Sequence, residues 1–516
     1  MAYRMGWAAR LLAGASAALL LAACGGASQA GVASAGASAG KHILTVGNAT
    51  DMLSLNPYAH SESTQYGRWS HIYEPLDRED PKTGQFQGVL AESWSNPDHN
   101  TWDFKIRQGV KFHDGAELTA DDVVFSYTRM RTDKDSKQGD VFSNVDGIEA
   151  SDKNTVRIHT KVPDAAFYTR LAQRYISNKA HFDKLGAEAA DKAPDGTGPF
   201  KFKEWVPGQR FVIEKNSDYW GPDKPYWDEV VFRPIPEAEP RVTSLLNGET
   251  QLIEQIPPQD IDRVRNAPNA TTAPYRNNRL MFVALNPPLA EPLKNEKVRQ
   301  AIAYAIDKDA IVKDVLQGKA YRLDQPIGEG IMSYDPSYKY PFPYDPAKAK
   351  QLLSEAGYPN GFTIDFDSPV NRYPKDKDIS TAITGMLAQV GIKTNLRTIE
   401  WATFQDEYVK GKYPMYLIGR GDVVDPSEYL EQYFQTGITK RLQFSNPDVD
   451  AALKAQQAEF DPQKRLALLH TAEQLIVQQA PSVFLFQYQD ADGIAKNLSF
   501  EPRGDEMVFA WTVTPK

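Results

Sequence analysis

Apolar and polar residues alternate along Thr101-Trp102-Asp103-Phe104-Lys105-Ile106-Arg107, the period of a half-buried strand. Gly109 and His113-Asp114-Gly115 then supply turn chemistry. His42 to Val46 reads as a short first strand, and Asp152 to Lys161 as a hairpin-like strand region. Phe200–Phe202 and Phe211–Glu214 read as paired strands around the turn Pro207-Gly208, with a further strand at Glu229–Arg233. Thr119 with Asp122 three residues on predicts a capped helix start running to about Arg131. Pro240 to Asn247 begins another helix, and Leu280 to Leu285 reads as a strand closed by Asn286-Pro287-Pro288.

The second half is more helical. Val298, Ile302, Ala305 and Ile306 share one helical face. Asp345-Pro346, Asn446-Pro447 and Asp461-Pro462 each pair a capping side chain with proline at the first helical position. Ile379 to Val390 reads as an amphipathic helix capped by Gly391. Strands are expected at Phe362–Phe366, Lys393–Thr398 and Met415–Ile418, and this alternation predicts an α/β lobe.

The first 40 residues follow other rules. Arg4 and Arg10 precede an apolar run from Leu11 to Ala23, about 13 residues, where a bilayer span takes roughly 20. That layout is an export signal. Leu21-Ala22-Ala23-Cys24 resembles a bacterial lipoprotein lipobox, which makes Cys24, the only cysteine, the expected lipidated first residue. Gly25 to Gly40 is almost all Gly, Ala and Ser, a flexible tether. Its Gly36-Ala37-Ser38-Ala39-Gly40 matches a nucleophile pattern but lacks the strand and helix that motif needs.

Composition narrows the function. The formal charge of −9 and pI near 5.5 argue against nucleic acid as a partner. Apolar content of 41% and aromatic content of 11% suffice for two or three cores. The eight histidines are scattered, with no metal-binding spacing, no CxxC and no phosphate loop. No metal and no cofactor are expected. Asp121-Asp122 reads as helix-start charge and His113-Asp114-Gly115 as a β-turn. Lys375-Asp376-Lys377-Asp378 reads as a solvated charge cluster. No convincing catalytic set emerges, which moves weight from an exported hydrolase toward a binding protein.

Several stretches in order carry a resemblance. They include Leu55-Asn56-Pro57, Tyr73-Glu74-Pro75-Leu76, Leu90-Ala91-Glu92-Ser93-Trp94 and the run from Trp102 to Gly115. Leu118 to Val123, Gly196-Thr197-Gly198-Pro199-Phe200, Val298 to Ile302, Ala305-Ile306-Asp307, Tyr344 to Ala349, and Gly421-Asp422 with Asp425-Pro426 complete the set. Together they resemble the family 5 extracellular solute-binding proteins, the dipeptide, oligopeptide and nickel receptors of ABC importers. The resemblance implies an α/β, two-lobe periplasmic-binding-protein fold (cluster C type) with an extra subdomain on lobe I. Laid on this chain, 1–23 is the signal peptide and 24–40 the tether. Lobe I takes 41–90, 195–285 and 485–516, the extra subdomain 91–194, and lobe II 286–484. The implied role is to capture a small ligand, a di- or oligopeptide first, and deliver it to a permease. The protein is then exported to the periplasm or cell surface, lipid-anchored and monomeric. A non-peptide solute (oligosaccharide, opine, metal chelate or haem) is the alternative.

In peptide-binding members an aspartate at the position of Asp422 pairs with the ligand ammonium, and Trp401 after Glu400 follows a pocket-lining tryptophan. The chain departs at Gly419, where many members carry tryptophan, and Arg420 is unusual there: it holds an anionic group or shields Asp422. Asp425, before Pro426, reads as a helix cap. A ligand carboxylate wants a bidentate arginine, for which Arg372 is a candidate beside Lys377. Tyr66, at the end of a loop from Asn56, is expected at the cleft rim on lobe I.

Overall fold

The computed structural model describes residues 41–80, 85–370, 372–421 and 423–516. The expectations placed on the signal, the tether, Ser38, Cys24 and Asp422 lie outside the described residues. Among the described residues no helix is long and apolar enough to cross a membrane.

An eleven-stranded sheet runs through the body. Ile43–Asn48 lies between Glu229–Pro234 and Leu252–Ile253, parallel to both. Glu229–Pro234 extends outward to the hairpin of Arg210–Lys215 and Phe200–Val206, which turns at Gly208 with φ 73°. In the other direction Leu252–Ile253 meets the strand Ser482–Ala495, which runs antiparallel to Ala270–Leu285. The far end of Ala270–Leu285 pairs with Met415–Arg420, and Phe362–Val370 and Ile392–Glu400 follow in parallel. A separate four-stranded antiparallel sheet holds Ala91–Ser95, Thr101–Ile106, Thr155–Thr160 and Val145–Asp152.

Two strands therefore carry the whole connection between the ends of the large sheet. Their ladder is interrupted: Arg276 stands opposite Gln489, and the next pair is Leu280 opposite Gln487. The cores change at the same place. The largest buried cluster begins at Leu280 on one strand and ends at Tyr488 on the other. Ala270 and Ala491 belong to one different cluster, and Ile494 packs with Leu44, Phe200 and Trp227 in another. A further core, with Trp102, Phe104, Tyr127 and Ile158, sits beneath the four-stranded sheet.

The local signals explain most elements. Asp345, Asn446 and Asp461 each accept a hydrogen bond from a backbone N–H in the first turn of the helices Pro346–Glu355, Pro447–Gln457 and Pro462–Gln479. The Asp122 carboxylate accepts from the Thr119 N–H at 2.8 Å and starts Ala120–Thr132. Two expectations are corrected. The helix expected from Pro240 begins at Ala238. Asp376 is not solvated: it is buried, and its carboxylate accepts from the N–H groups of Arg372 and Tyr373 at 2.9 and 3.1 Å.

Candidate functional site

The helix Pro426–Phe434 is started by Asp425, whose carboxylate accepts from the Ser427 N–H at 2.9 Å. Tyr429, Leu430, Tyr433 and Phe434 turn into the core against Phe282. Glu428, Glu431, Gln432 and Gln435, spaced three and four apart, then share the opposite face. That face lines a cavity of about 770 Å³. The other wall is built from residues 137–144 and 161–174 of the chain around the four-stranded sheet, together with Tyr66.

The two walls touch. Arg170 donates to Glu431 at 3.1 Å and to Asp164 at 3.4 Å. The Ala165 N–H donates to the Gln457 carbonyl at 2.8 Å, and His99 stacks on Phe460 with ring centres 4.4 Å apart. The two walls are thus tied together at three points beside the cavity. Burial, with the charges of Asp164, Asp425 and Glu428 nearby, pushes the Glu431 carboxyl up to about 7 against the pull of Arg170. Glu428 goes the other way. Burial alone would raise it, but Arg420, Arg174, Arg170 and Arg441 hold it below the ordinary range.

The structure divides the expected ligand residues into two groups. Tyr66 and Arg420 line the cavity. Tyr66 is buried, and its hydroxyl accepts from Arg174 Nη1 at 2.9 Å. Arg420 ends the strand Met415–Arg420 with Nη2 3.4 Å from Glu428. Trp401, Arg372 and Gly419 lie together elsewhere, around Tyr373. The Arg372 guanidinium sits 4.9 Å from the centre of the Trp401 ring and 5.2 Å from that of Tyr373. Trp401 also stacks on Phe404 and packs against the largest core. Lys377 is exposed on the helix Asp376–Gln389.

Gly419 gives its carbonyl to the Tyr373 hydroxyl at 3.2 Å. A Cβ there would collide with Met281 Sδ and lie 3.0 Å from Arg279 Cδ. The space a larger residue would need is therefore filled by Arg279, which is ion-paired to Glu506 at 2.9 Å. Gly419→Ala is expected to lower stability by about 1–3 kcal/mol through overpacking. A denaturation midpoint equal to wild type would show that Met281 yields freely.

Sequence reasoning missed Arg170, Arg174, Glu428 and Glu431. The one available signal is spacing: Arg170 and Arg174 are four apart beside aromatic residues, as are Glu428 and Gln432. One metal-capable group is present among the described residues, Asp114, His181 and Asp195, with ligand atoms within 4.8 Å of one another. Its donors are engaged already: Asp195 accepts from Asn178 Nδ2 and the Asp114 N–H, and His181 Nε2 bonds the Ala193 carbonyl.

Separate cores joined by two interrupted strands, closing over a polar cavity, define a two-lobed solute-binding protein. The chain belongs to the bacterial extracellular solute-binding proteins, family 5, whose profile matches residues 85–441. It is an exported receptor of the ABC-importer class. It is 32% identical over 504 residues to heme-binding protein A of Haemophilus influenzae, covering 90% of this chain and 91% of that one. It is also 32% identical over 460 residues to the glutathione-binding protein GsiB of Pectobacterium atrosepticum, covering 86% and 88%. Its fold matches the DppA periplasmic binding protein of Helicobacter pylori, solved with the peptide STSA. That match has a TM-score of 0.80 and 27% identity, and it covers 92% of this chain and 98% of that one. The oligopeptide-binding protein AppA of Bacillus subtilis, solved with a nonapeptide, matches with a TM-score of 0.78 and 25% identity, covering 92% and 99%.

Proposed function

We propose that this protein captures a short peptide between its lobes and hands it to a membrane permease. The observation that carries this reading is the cavity of about 770 Å³, walled by both lobes and bridged by Arg170 and Glu431. Its volume lies in the range of small-ligand sites, roughly 300–1,000 Å³. Relatives named for dipeptides and glutathione, and neighbours solved with peptides, support the same class. The lobes divide where the cores change, at 279/280 and 488/489, rather than at 285/286 and 484/485. The extra subdomain supplies one wall of the cavity. A lipidated Cys24 and the tether to Gly40 hold the body at a membrane while leaving it free to move laterally.

Asp422, two residues after the cavity-lining Arg420, takes the peptide ammonium. A buried ammonium needs an opposite charge, so removing its carboxylate partner leaves an uncompensated charge and costs more than breaking an exposed pair. Calorimetry with a peptide panel tests the reading. Asp422→Ala is expected to weaken free-amine peptides by about tenfold or more, several-fold beyond its effect on N-acetylated ones. Equal losses for both would remove Asp422 from the role, and no binding of any peptide would remove the peptide reading.

A second reading has an observation of its own. Arginines Arg170, Arg174, Arg420 and Arg441 all line the cavity, which suits an anionic non-peptide solute. A related fold, AgaA, was solved with agropinic acid, at a TM-score of 0.79 and 26% identity. Native mass spectrometry of the protein as purified separates the two by the mass of any retained solute.

A further inference from the structure

The charges around the cavity leave one buried cation over. Asp425 is taken by Arg465, at 2.6 and 2.9 Å. Asp164 and Glu431 are both taken by Arg170. Glu428 lies 3.4 Å from Arg420. Arg174 is 7% exposed and lines the same cavity. Its Nη1 donates to two neutral oxygens, the Tyr66 hydroxyl at 2.9 Å and the Gln173 carbonyl at 3.3 Å. Its Nε is buried without a partner. Among the described residues, no carboxylate lies within ion-pair distance of it.

Such an arrangement is costly in an empty cavity. A guanidinium taken out of water is stabilised by an opposite charge in contact or a full set of acceptors; Arg174 has neither, and feels Glu428 only from beyond ion-pair distance. It is nonetheless fixed in place. The Arg174 N–H closes a turn onto the Leu171 carbonyl at 2.9 Å, and the guanidinium packs 5.6 Å from the centre of the Tyr66 ring. Tyr66 is anchored in turn, since its carbonyl accepts from the Tyr175 hydroxyl at 2.9 Å. A rigid, preorganised fork with unused donors matches the planar geometry of a carboxylate. Across the cavity, Arg441 also donates to a neutral partner, Gln432 Oε1 at 2.6 Å.

We propose that Arg174 is the anion anchor of the ligand site, binding a carboxylate of the captured solute other than a peptide C-terminus against the lobe I wall. The inference rests on the reading of this cavity as the ligand site. It adds the substrate class: solutes bearing a carboxylate at this point, such as peptides with an acidic side chain, rather than neutral ones. Tyr66 is the positioning residue, because it holds the guanidinium from below through its ring and hydroxyl.

The test uses the full chain and matched tripeptides, Ala-Glu-Ala and Ala-Gln-Ala, by calorimetry at low salt. The wild type is expected to favour the glutamate peptide by about tenfold or more. In Arg174→Gln that ratio falls to about one, and Arg174→Lys restores part of it, because lysine keeps the charge but not the fork. A wild-type ratio near one, with both peptides binding, overturns the assignment and leaves the peptide reading standing. Because that comparison is made in the wild type, it does not depend on a variant that folds. Should neither peptide bind, the peptide reading fails and glutarate decides the matter. A rise in wild-type melting temperature with glutarate that Arg174→Gln lacks sustains the anchor, and no rise, or an equal rise in both proteins, overturns it.

Discussion

Replacing Arg465 with methionine is expected to cost roughly 3–5 kcal/mol of folding stability, the range for removing one partner of a buried ion pair. Both partners are buried, and the guanidinium meets both oxygens of Asp425. It also donates to Gln456 Oε1 at 3.2 Å and to the Ser427 hydroxyl at 3.1 Å. Burial alone would raise the Asp425 carboxyl, but Arg465 and the Ser427 bonds hold it below the ordinary range, so it is ionised in the folded protein. Without Arg465 that charge stays buried with no counter-ion. The damage falls on the start of Pro426–Phe434, the helix that walls the cavity. Urea unfolding measures the loss. Adding Asp425→Asn to the same chain is expected to recover most of it, because asparagine keeps the cap and carries no charge. A double variant as unstable as the single one would mean the cost lies in lost packing.

Glu473→Gln is expected to stabilise the protein, and more so as pH rises. Glu473 is 3% exposed on the helix Pro462–Gln479, and its carboxyl accepts a hydrogen bond from the Ser333 hydroxyl. Among the described residues no cation lies within ion-pair distance of it. Burial, with the charge of Asp335, pushes it from 4.5 up to about 8 against the Ser333 bond. The unfolded chain releases this proton near 4.5, whereas the folded protein holds it to about 8. Between those values the unfolded state binds fewer protons, so wild-type stability falls as pH rises. At about 1.4 kcal/mol per pH unit, about 3 kcal/mol is lost by pH 7. Glutamine keeps an oxygen for Ser333 and cannot ionise. The variant's advantage is therefore expected to be slight near pH 4.5 and to grow to about 3 kcal/mol at pH 7. An advantage that does not change with pH would mean that Glu473 ionises normally in the folded protein.

Features decided by a few adjacent residues were legible in the sequence. The caps at Asp345, Asn446 and Asp461 act within one turn and stand where the sequence places them. The alternating strand at Thr101–Ile106 has one face in a core and one outside, so its period shows. Ser482–Ala495 was not read as a strand at all. Ser482 to Tyr488 is buried on both faces, which erases the alternation. Only the end of Ala270–Leu285 was read, because Pro274 and Asn277-Asn278 look like turn chemistry, and there they mark the interrupted ladder. The same distinction governs the site. Tyr66 and Arg420 came from the family resemblance and line the cavity. Arg170 meets Glu431 across 261 residues of sequence, a pairing no local pattern encodes. Asp376 looked like one charge in a solvated run, because its partners are backbone N–H groups, which sequence does not display.

The interrupted ladder has a consequence for how such a chain can be cut and joined. Leu280 stands opposite Gln487, so the points where the polypeptide enters and leaves the largest core are neighbours. Every buried member of that core falls between Leu280 and Tyr488. The segment is thus built like a guest inserted into a host, both of its ends passing through one doorway. A permuted gene opened at that doorway would still encode each core in one unbroken stretch.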